Sequence, residues 1–260
     1  MGKVIAIANQ KGGVGKTTTA CNLGIGLARI GSRVLLIDLD SQGSLTACLG
    51  IHEPDELEIS LGSVLESIIN DEEIDLMEGI IRHEEGVDLM PGNIELSGLD
   101  VILVNTMNRE RVLKQYVNLV KDQYDFILID CLPSLGMLTI NALACADSVI
   151  IPVQTEYLPT KGLQQLMRTI ARVKRQINPE LQIEGILFTM VDERTNLAKD
   201  VMHVICNAYQ GKLKFVQSRI PRSIRSAETP ANGISIYKYD QYGKAAAAYA
   251  ALTLEVYQNG

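Results

Sequence analysis

A run of small and basic residues follows the first apolar segment of the chain. Residues 10–18 read QKGGVGKTT and come directly after the apolar segment 4–8. Glycines let backbone N–H groups turn inward around an anion, and a helix that starts there adds free amides and its dipole. Lys16 would reach the β- and γ-phosphate oxygens, and the Thr17 hydroxyl would ligate Mg²⁺. The run predicts a triphosphate-binding loop, although Gln10 replaces the first glycine of GxxxxGK[ST]; the alternative is a glycine-rich turn with surface lysines.

Two further apolar runs end in carboxylates. The run LLIDLD at 35–40 ends with Asp38 and Asp40, and FILID at 126–130 ends with Asp130. In a parallel sheet, the carboxyl ends of the strands form the edge where ligands bind. A carboxylate there holds Mg²⁺ directly or through water, or positions an attacking water. Each aspartate alone is equally compatible with a helix cap or a turn, but next to a phosphate loop the three favour a metal site.

These groups must be positioned by strands and helices, and the apolar pattern predicts both. Short β-branched runs alternate with longer helical patterns, which is typical of a parallel sheet covered on both faces. The predicted strands are 4–8, 33–38, 87–90, 126–130, 148–153, 184–190 and a further candidate, 214–220. The predicted helices are 16–30, 109–123, 136–146, 161–177, 196–209 and 241–257. We therefore expect an α/β fold with a doubly wound, mostly parallel sheet. Because no internal repeat or linker is evident, we expect one domain over residues 1–260.

Charge is distributed unevenly along the chain. The net charge is −7, which excludes a uniformly basic protein that coats nucleic acid. Residues 51–100 contain 15 acidic residues and one basic residue. The acidic stretch 51–86 has helical pieces but no strand pattern, so we expect a helical insertion on the surface. Residues 191–225 hold seven basic and three acidic residues. This segment is a candidate for a local positive face, although most such clusters are simply solvated.

Composition excludes several classes of protein. The chain has 260 residues, of which 47% are hydrophobic and 21% charged, which is ordinary for a globular protein and unlike disordered, collagenous or coiled-coil chains. No apolar run approaches the ~20 residues of a membrane span, and the first apolar stretch is too short for a secretory signal. We therefore expect a cytoplasmic protein. Five cysteines without a CxxC pair, and three histidines, predict neither a disulfide framework nor a zinc site.

The motifs together resemble the ParA/Soj partition ATPases. The motifs are KGGVGKTT, LLIDLDSQGS, FILIDCLPSLGMLTINAL, DSVIIPVQTEYLPTKGLQQL, GILFTMVDERTNL and IPRSIRSAETPANG. This family has a deviant phosphate loop and belongs to a wider class that contains MinD and the nitrogenase iron protein. The resemblance implies ATP and Mg²⁺ as cofactors, a homodimer that forms with ATP bound, and non-specific binding of duplex DNA. It also implies hydrolysis stimulated by a ParB-type partner, no membrane binding, and association with the nucleoid.

The resemblance implies a role for each residue of the nucleotide site. The triphosphate would be held by Gly12, Gly13, Val14, Gly15, Lys16, Thr17 and Thr18. Thr17 would serve Mg²⁺ together with Asp130, which acts through water, while Asp38 supports the metal shell and Asp40 orients or activates the attacking water. Adenine would be bordered by Met190, Pro221 and Arg222.

Two residues of the loop are expected to act across a dimer interface. Lys11 would touch the phosphates of the partner copy, where a cation stabilises charge that develops on the γ-phosphoryl group. Arginine fingers of this kind contribute ~10³–10⁵ in rate, although a lysine lacks the bidentate fork. Gly12 should tolerate no side chain, because the partner approaches closely there.

The basic segment gains a meaning from the resemblance. Arg194 and Arg225 match the arginines that bind DNA in partition ATPases, and three further basic residues would widen that face: Lys212, Lys214 and Arg219. Such binding neutralises phosphates without reading bases and depends steeply on salt. The scarcity of aromatic residues fits contact with a duplex backbone better than base stacking. Alternatively, these arginines cap a helix or pair with Asp192, Glu193 and Glu228.

Three other functions compete with partition. A MinD-like membrane positioner needs a basic amphipathic C-terminal helix. Residues 240–260 contain a single basic residue, Lys244, and instead predict a helix that packs on the rest of the protein. A redox role like that of the nitrogenase iron protein needs two cluster-bridging cysteines, and only Cys131 has a suitable position. A P-loop ligase or small-molecule kinase needs a substrate motif, and we find none.

The sequence also departs from the family pattern. Leu132 replaces a proline, Ser41 stands where the family commonly has proline, and Ser44 where it often has asparagine. We expect these changes to alter the switching rate without removing a charged ligand.

Overall fold

The apolar runs of the chain lie side by side in one sheet. The structure is a computed structural model that describes residues 2–73, 75, 77–155, 160–211 and 213–259. Over these residues the strands are β1 (Lys3–Ile7), β2 (Val34–Leu39), β3 (Ile81–Arg82), β4 (Asp88–Met90), β5 (Phe126–Cys131), β6 (Ser148–Gln154) and β7 (Gln182–Thr189).

Helices connect the strands. They are α1 (Lys16–Arg29), α2 (Ser44–Cys48), α3 (Leu61–Ile69), α4 (Glu95–Ile102), α5 (Val112–Val120), α6 (Met137–Cys145), α7 (Thr160–Gln176), α8 (Asn196–Tyr209), α9 (Ile224–Asn232), α10 (Ile236–Tyr239) and α11 (Lys244–Gln258). Single 3₁₀ turns lie at Pro54–Glu56, Leu103–Asn105 and Lys121–Gln123. Six of the predicted strands and all six predicted helices are confirmed, within a few residues at their ends.

The strand order is β3-β4-β2-β5-β1-β6-β7. Every neighbouring pair is parallel except β3 with β4. Because β1 lies inside the sheet, crossover helices run in both directions from it and cover both faces, as parallel connections require. The predicted doubly wound α/β fold is confirmed.

Alternation along the strands divides the core between the two faces. Val4 and Ala6 pack in the cluster under α3–α8, whereas Ile5 and Ile7 pack in the cluster under α1, α2, α10 and α11. Side chains in a strand point alternately to opposite faces. The same alternation places Asp38 and Asp130 on the face that α1 covers.

Residues 214–220 do not form the further strand that the sequence predicts. They run beside β7 with isolated bridges only, from Ile186 to Phe215 and from Val191 to Pro221. The backbone N–H group of Ser218, which would follow that of Val216 in a ladder with β7, donates instead to the carboxylate of Glu255 at 3.2 Å. The N–H group of Gln217 donates to the same carboxylate at 2.8 Å. A side chain of α11 therefore interrupts the ladder.

The acidic segment 51–86 contains more structure than the sequence predicts. It was expected to lack a strand, which is wrong, because β3 lies in it and pairs with β4 in antiparallel register. The helical part is α3, capped by Ser60, and its Leu61 and Leu65 are buried in the core. The acidic side chains around these elements are mostly exposed. That the segment is an insertion stays a prediction.

The C-terminal helix packs on the helix that follows the glycine-rich loop. Tyr249 and Leu252 of α11 are fully buried against α1. A Cβ at Gly26 of α1 would collide with the Thr253 hydroxyl and lie 2.6 Å from the Tyr237 hydroxyl, so only glycine permits this approach. The predicted packing helix is confirmed. In the part of the chain that is described, each helix is too short or too polar to cross a membrane.

Candidate nucleotide site

The loop between β1 and α1 is fixed by a contact from the end of β7 and by one within the loop. Gly13 and Gly15 have φ values of 68° and 84°, a conformation that favours glycine. The Thr189 hydroxyl at the end of β7 donates to the Val14 carbonyl at 2.8 Å. The Lys11 amide donates to Asn9 Oδ1 at 3.0 Å. The amides at the start of α1 are thus held around an open cradle that suits phosphate oxygens.

Lys16 extends into this cradle and is only 7% exposed. Its Nζ lies 3.4 Å from the Lys11 carbonyl. Burial lowers the pKa of the Lys16 ammonium, while the charges of Asp130 and Asp40 oppose that shift. The structure therefore brings the predicted lysine and two of the predicted carboxylates together.

Asp38 and Asp130 are register partners on the adjacent strands β2 and β5. Burial raises the pKa of Asp38 to about 7, although its carboxylate accepts hydrogen bonds from the Thr46 amide and hydroxyl, both at 2.8 Å. Burial also raises the pKa of Asp130 well above its usual range, and the charge of Asp38 adds to this, whereas the Thr17 hydroxyl and Lys16 oppose it. Two carboxylates are thus crowded in a site with little solvent.

One carboxylate oxygen at this site is unsatisfied. Asp130 Oδ1 is buried without a hydrogen-bond partner among the residues that the structure describes. A buried oxygen without a partner is costly. Thr17 and Asp130 together offer the oxygen ligands that Mg²⁺ prefers, so these residues fit the predicted cation. The Asp38 carboxylate is already hydrogen-bonded to Thr46 and lies next to Asp130 on the adjacent strand.

Asp40 lies just beyond β2 and is partly exposed. Its Oδ1 accepts a hydrogen bond from the Gln42 amide at 3.1 Å, and its own amide donates to Asp38 Oδ1 at 3.2 Å. The turn therefore fixes Asp40 beside the buried pair of aspartates while leaving its carboxylate accessible to water.

Lys11 differs from Lys16 in its surroundings. Its side chain is exposed, and Nζ donates to the neutral Oε1 of Gln154 at 3.0 Å. A Cβ at Gly12 would meet only Pro133 Cβ, at 3.9 Å. Within one chain there is room for a side chain at Gly12, so any intolerance must come from a second molecule.

A small cavity adjoins the start of α1. It has a volume of about 110 Å³, and Gly15 and Thr18 line it together with Met190 and Pro221. The structure thus brings two of the predicted adenine neighbours to the phosphate loop. Arg222 instead lines a neighbouring cavity of about 610 Å³ with Arg194. Three residues to which the sequence assigned no role also line the small cavity: Ser223, Ser226 and Tyr249. The two serines lie in the motif IPRSIRSAETPANG, whereas Tyr249 lies in no motif.

Cys131 does not fit a cluster ligand. It is fully buried beside Asp130, and burial raises the pKa of its thiol. Metal clusters bind the thiolate form. The surroundings of Cys131 oppose the redox alternative.

The three arginines that we assign to the predicted DNA face are paired with carboxylates of the same chain. Arg194 forms a bidentate pair with Asp192 at 2.9 Å, and Arg219 pairs with Glu193 at 3.4 Å. Both pairings were the alternative to DNA contact that the sequence left open. The third pairing differs, because Arg225 pairs with Asp240 at 3.1 Å while Glu228 accepts from the Tyr239 hydroxyl. Lys214 forms no ion pair among the described residues, and Lys212 lies outside them.

Comparisons with known proteins find relatives along the whole chain. A family model described as an AAA domain matches residues 2–183. The chain is 46% identical to the sporulation initiation inhibitor protein Soj of Bacillus subtilis over all of both chains. It is 41% identical to the chromosome partitioning protein ParA of Caulobacter vibrioides, with 98% of this chain and 93% of that protein covered.

Solved structures show the same fold. A cobyrinic acid a,c-diamide synthase from Mycobacterium smegmatis with bound ATP analogue and magnesium has a TM-score of 0.88 at 37% identity and covers 100% of this chain and 95% of that chain. A plasmid partition protein from Borrelia burgdorferi bound to AMPPNP has a TM-score of 0.79 at 25% identity, with both chains fully covered. The sheet and the loop define a P-loop ATPase of the class that ParA and MinD share. Within that class, the chain belongs to the Soj/ParA family of chromosome-partitioning ATPases, which confirms the predicted resemblance.

Proposed function

We propose that this protein is an ATP-dependent DNA-partitioning ATPase that pairs with a second copy when Mg-ATP is bound. The pair holds duplex DNA without sequence preference, and a ParB-type partner stimulates hydrolysis and resets it. The observation that carries this proposal is the juxtaposition of buried Lys16 with the unsatisfied oxygen of Asp130, in a chain that is 46% identical to Soj along its whole length.

Nucleotide binding follows from the loop and its lysine. The amides of residues 12–18 and the Lys16 ammonium bind phosphate oxygens, and Met190 and Pro221 border the base. Thr17 and Asp130 would hold Mg²⁺, which when bound would neutralise charge on the phosphates. The unsatisfied Oδ1 of Asp130 would then gain a partner, such as a water bound to the cation.

Hydrolysis requires an oriented water next to the γ-phosphate. Asp40 is the partly exposed carboxylate at this edge of the sheet, fixed by its turn. It accepts a hydrogen bond from the water and orients it for attack. This is a positioning or general-base role that contributes ~10²–10⁴ in rate.

A second copy would complete the site. The Lys11 ammonium is bonded to a neutral amide oxygen, which it exchanges for a phosphate oxygen of the partner copy at little cost. Gly12 leaves space for that approach. The γ-phosphate must bind the paired state more tightly than the single one. A shift from 1:99 to 99:1 takes about 5.5 kcal/mol of such preference.

DNA contact is proposed for Arg194 and Arg225, widened by Arg219, Lys214 and Lys212. The ion pairs of the three arginines are exposed, and exposed pairs stabilise a fold little. The arginines can therefore exchange carboxylates for DNA phosphates. Released counterions then drive binding.

A second candidate is a small-molecule synthase, because one solved structure at 37% identity is described as a cobyrinic acid a,c-diamide synthase. Identity to Soj is higher, at 46% over the whole chain. Turnover of ATP that rises with DNA and a ParB-type protein favours partition, whereas turnover that rises only with a carboxylic acid and an amide donor favours the synthase.

The test is a DNA shift assay across a salt series, with ATP, ADP or no nucleotide, on protein whose loading is verified. We expect DNA binding and a dimer by light scattering with ATP only. Asp40→Ala should hydrolyse ATP ~10²–10⁴-fold more slowly yet keep both properties. Arg194→Glu with Arg225→Glu should dimerise but lose DNA. Identical single particles with ATP and ADP would refute the proposal, and undiminished DNA binding by the charge-reversed variant would refute the assigned surface.

A further inference from the structure

Helix α7 carries a second basic surface that lies outside segment 191–225. Its sequence, TKGLQQLMRTIARVKRQ, has five basic residues and no acidic residue. At 100° per residue, Lys161, Arg168, Arg172 and Arg175 fall within one narrow stripe. The stripe is about 21 Å long at 1.5 Å per residue. All four side chains are exposed.

The opposite side of α7 is committed to the core. Leu163, Leu166, Ile170 and Val173 are at most 3% exposed and belong to the cluster under α3–α8. A helix that binds a lipid surface buries its apolar side in the membrane. Because this apolar side is already buried, the accessible face of α7 offers positive charge alone, which complements a polyanion in water.

The α7 cations differ from the predicted DNA arginines in their partners. Within the described part of the chain, Arg168, Arg172 and Arg175 have no ion pair or side-chain hydrogen bond, whereas Arg194, Arg219 and Arg225 are each paired with a carboxylate. A phosphate that approaches α7 displaces only water and counterions. A phosphate that approaches Arg194 must also displace Asp192.

The α7 surface is continuous with the predicted DNA face. Lys174 of α7 and Lys214 line the same groove, whose volume is about 390 Å³. Lys214 begins the segment that runs along β7 toward Arg219 and Pro221. A basic path therefore leads from the stripe on α7 across this groove to the segment assigned to DNA.

We propose that the exposed face of α7, with Lys174 and Lys214, binds the phosphate backbone of duplex DNA. This rests on the proposed function and extends its DNA surface to a helix that the resemblance does not assign. Duplex DNA carries one charge per about 1.7 Å of axis, so a rigid stripe of four cations meets several phosphates at once. The contact is independent of base sequence and acts through counterion release.

The test compares two double variants of the full-length protein that remove equal charge. Arg168→Gln with Arg172→Gln changes the α7 stripe. Lys114→Gln with Lys121→Gln changes α5 and the 3₁₀ turn that follows it. With ATP, we expect the α7 variant to bind duplex DNA roughly tenfold or more weakly at 150 mM salt, with a log–log salt slope shallower by about 1.8, since each phosphate contact contributes ~0.9. The α5 variant should match wild type. Basal ATP turnover and ATP-dependent dimerisation should be unchanged in both.

A conservative variant separates charge from folding. Arg168→Lys with Arg172→Lys keeps both charges and should bind DNA like wild type; a loss equal to that of the glutamine variant would overturn the proposal. An α7 variant that binds DNA as well as the α5 variant overturns this inference alone. A wild type that binds no DNA with ATP overturns both this inference and the DNA part of the proposed function. If the α7 variant loses only binding to anionic phosphatidylglycerol vesicles, the face belongs to lipid and the proposal is wrong.

Discussion

The nucleotide site and the basic segment 191–225 both gather charged side chains, but they differ in how these charges are balanced. At the nucleotide site Lys16, Asp38 and Asp130 are buried, their pKa values are shifted, and one oxygen of Asp130 lacks a partner. On the basic segment the side chain of Arg194 is 90% exposed, and Asp192 already balances its charge. The buried site has an oxygen that only a ligand can satisfy. The exposed arginine already has a carboxylate partner, which it must give up before it can bind a DNA phosphate. This contrast predicts large, specific effects at the first region and small, salt-sensitive ones at the second.

The largest effect is expected from Lys16→Ala. Removing one partner of a buried charge pair costs about 2–5 kcal/mol, so ATP binding measured by calorimetry should weaken roughly 30-fold or more. Lys11→Ala is the matched control, because Lys11 is exposed and bonded to a neutral amide. It should keep ATP binding by the single copy within about threefold. Equal ATP affinities for the two variants would break the contrast between the two lysines.

An intermediate effect is expected on the pH dependence of stability in the nucleotide-free protein with a chelator. The pKa of Asp38 is raised from its usual 3.8 to about 7, so the folded state holds a proton that the unfolded state has released. This contribution to stability is complete below pH 4 and is lost as pH rises through 7. The free energy of unfolding should fall over that interval by up to ~1.4 kcal/mol per pH unit.

Asp38→Asn should flatten this dependence in denaturant titrations between pH 5 and 8. Asp125→Asn is the control, since the side-chain hydrogen bond from Arg33 lowers the pKa of Asp125 and its effect is confined to acid. An unchanged slope in Asp38→Asn would show that Asp38 is not the buried proton acceptor.

The smallest effect is expected from Asp192→Ala. Hydrogen bonds from Arg194 lower the pKa of Asp192 to about 2, and the substitution leaves Arg194 unpaired. The melting midpoint should stay that of wild type, because exposed pairs stabilise little. Affinity for duplex DNA with ATP should rise by about threefold, since one competing carboxylate is gone. The control is Asp122→Ala, which removes an exposed charge far along the chain and should leave DNA affinity unaltered. An equal rise in affinity in both variants would show that net charge, and not the loss of the Asp192–Arg194 pair, causes the rise.

The same contrast explains what could be predicted from the sequence. The candidate nucleotide site consists of residues at strand ends. The motif around Lys16 and the apolar runs before Asp38 and Asp130 therefore predict that these three side chains lie together, as they do. The pairing of Arg225 with Asp240 depends on how α9 and the residue after α10 are placed, and no local pattern records it. Likewise the loss of the strand at 214–220 depends on Glu255 of α11, which accepts the hydrogen bond of the Ser218 amide. The spacing of the basic residues in α7 places four of them in one stripe. Adding up the charge of each segment does not show this stripe, because the sum ignores helical periodicity.

The close packing of α11 on α1 has a consequence for how the protein is made. Thr19 and Tyr249, whose hydroxyls lie 3.5 Å apart, are 230 residues apart in sequence. At about 5–20 residues per second, a ribosome needs roughly 10–50 s to synthesise the chain between them. During that time α1 has been synthesised but α11, which packs on it, has not. We therefore expect ATP to stabilise the nascent chain only after α11 has been synthesised, so that a product truncated before α11 is left exposed to proteases.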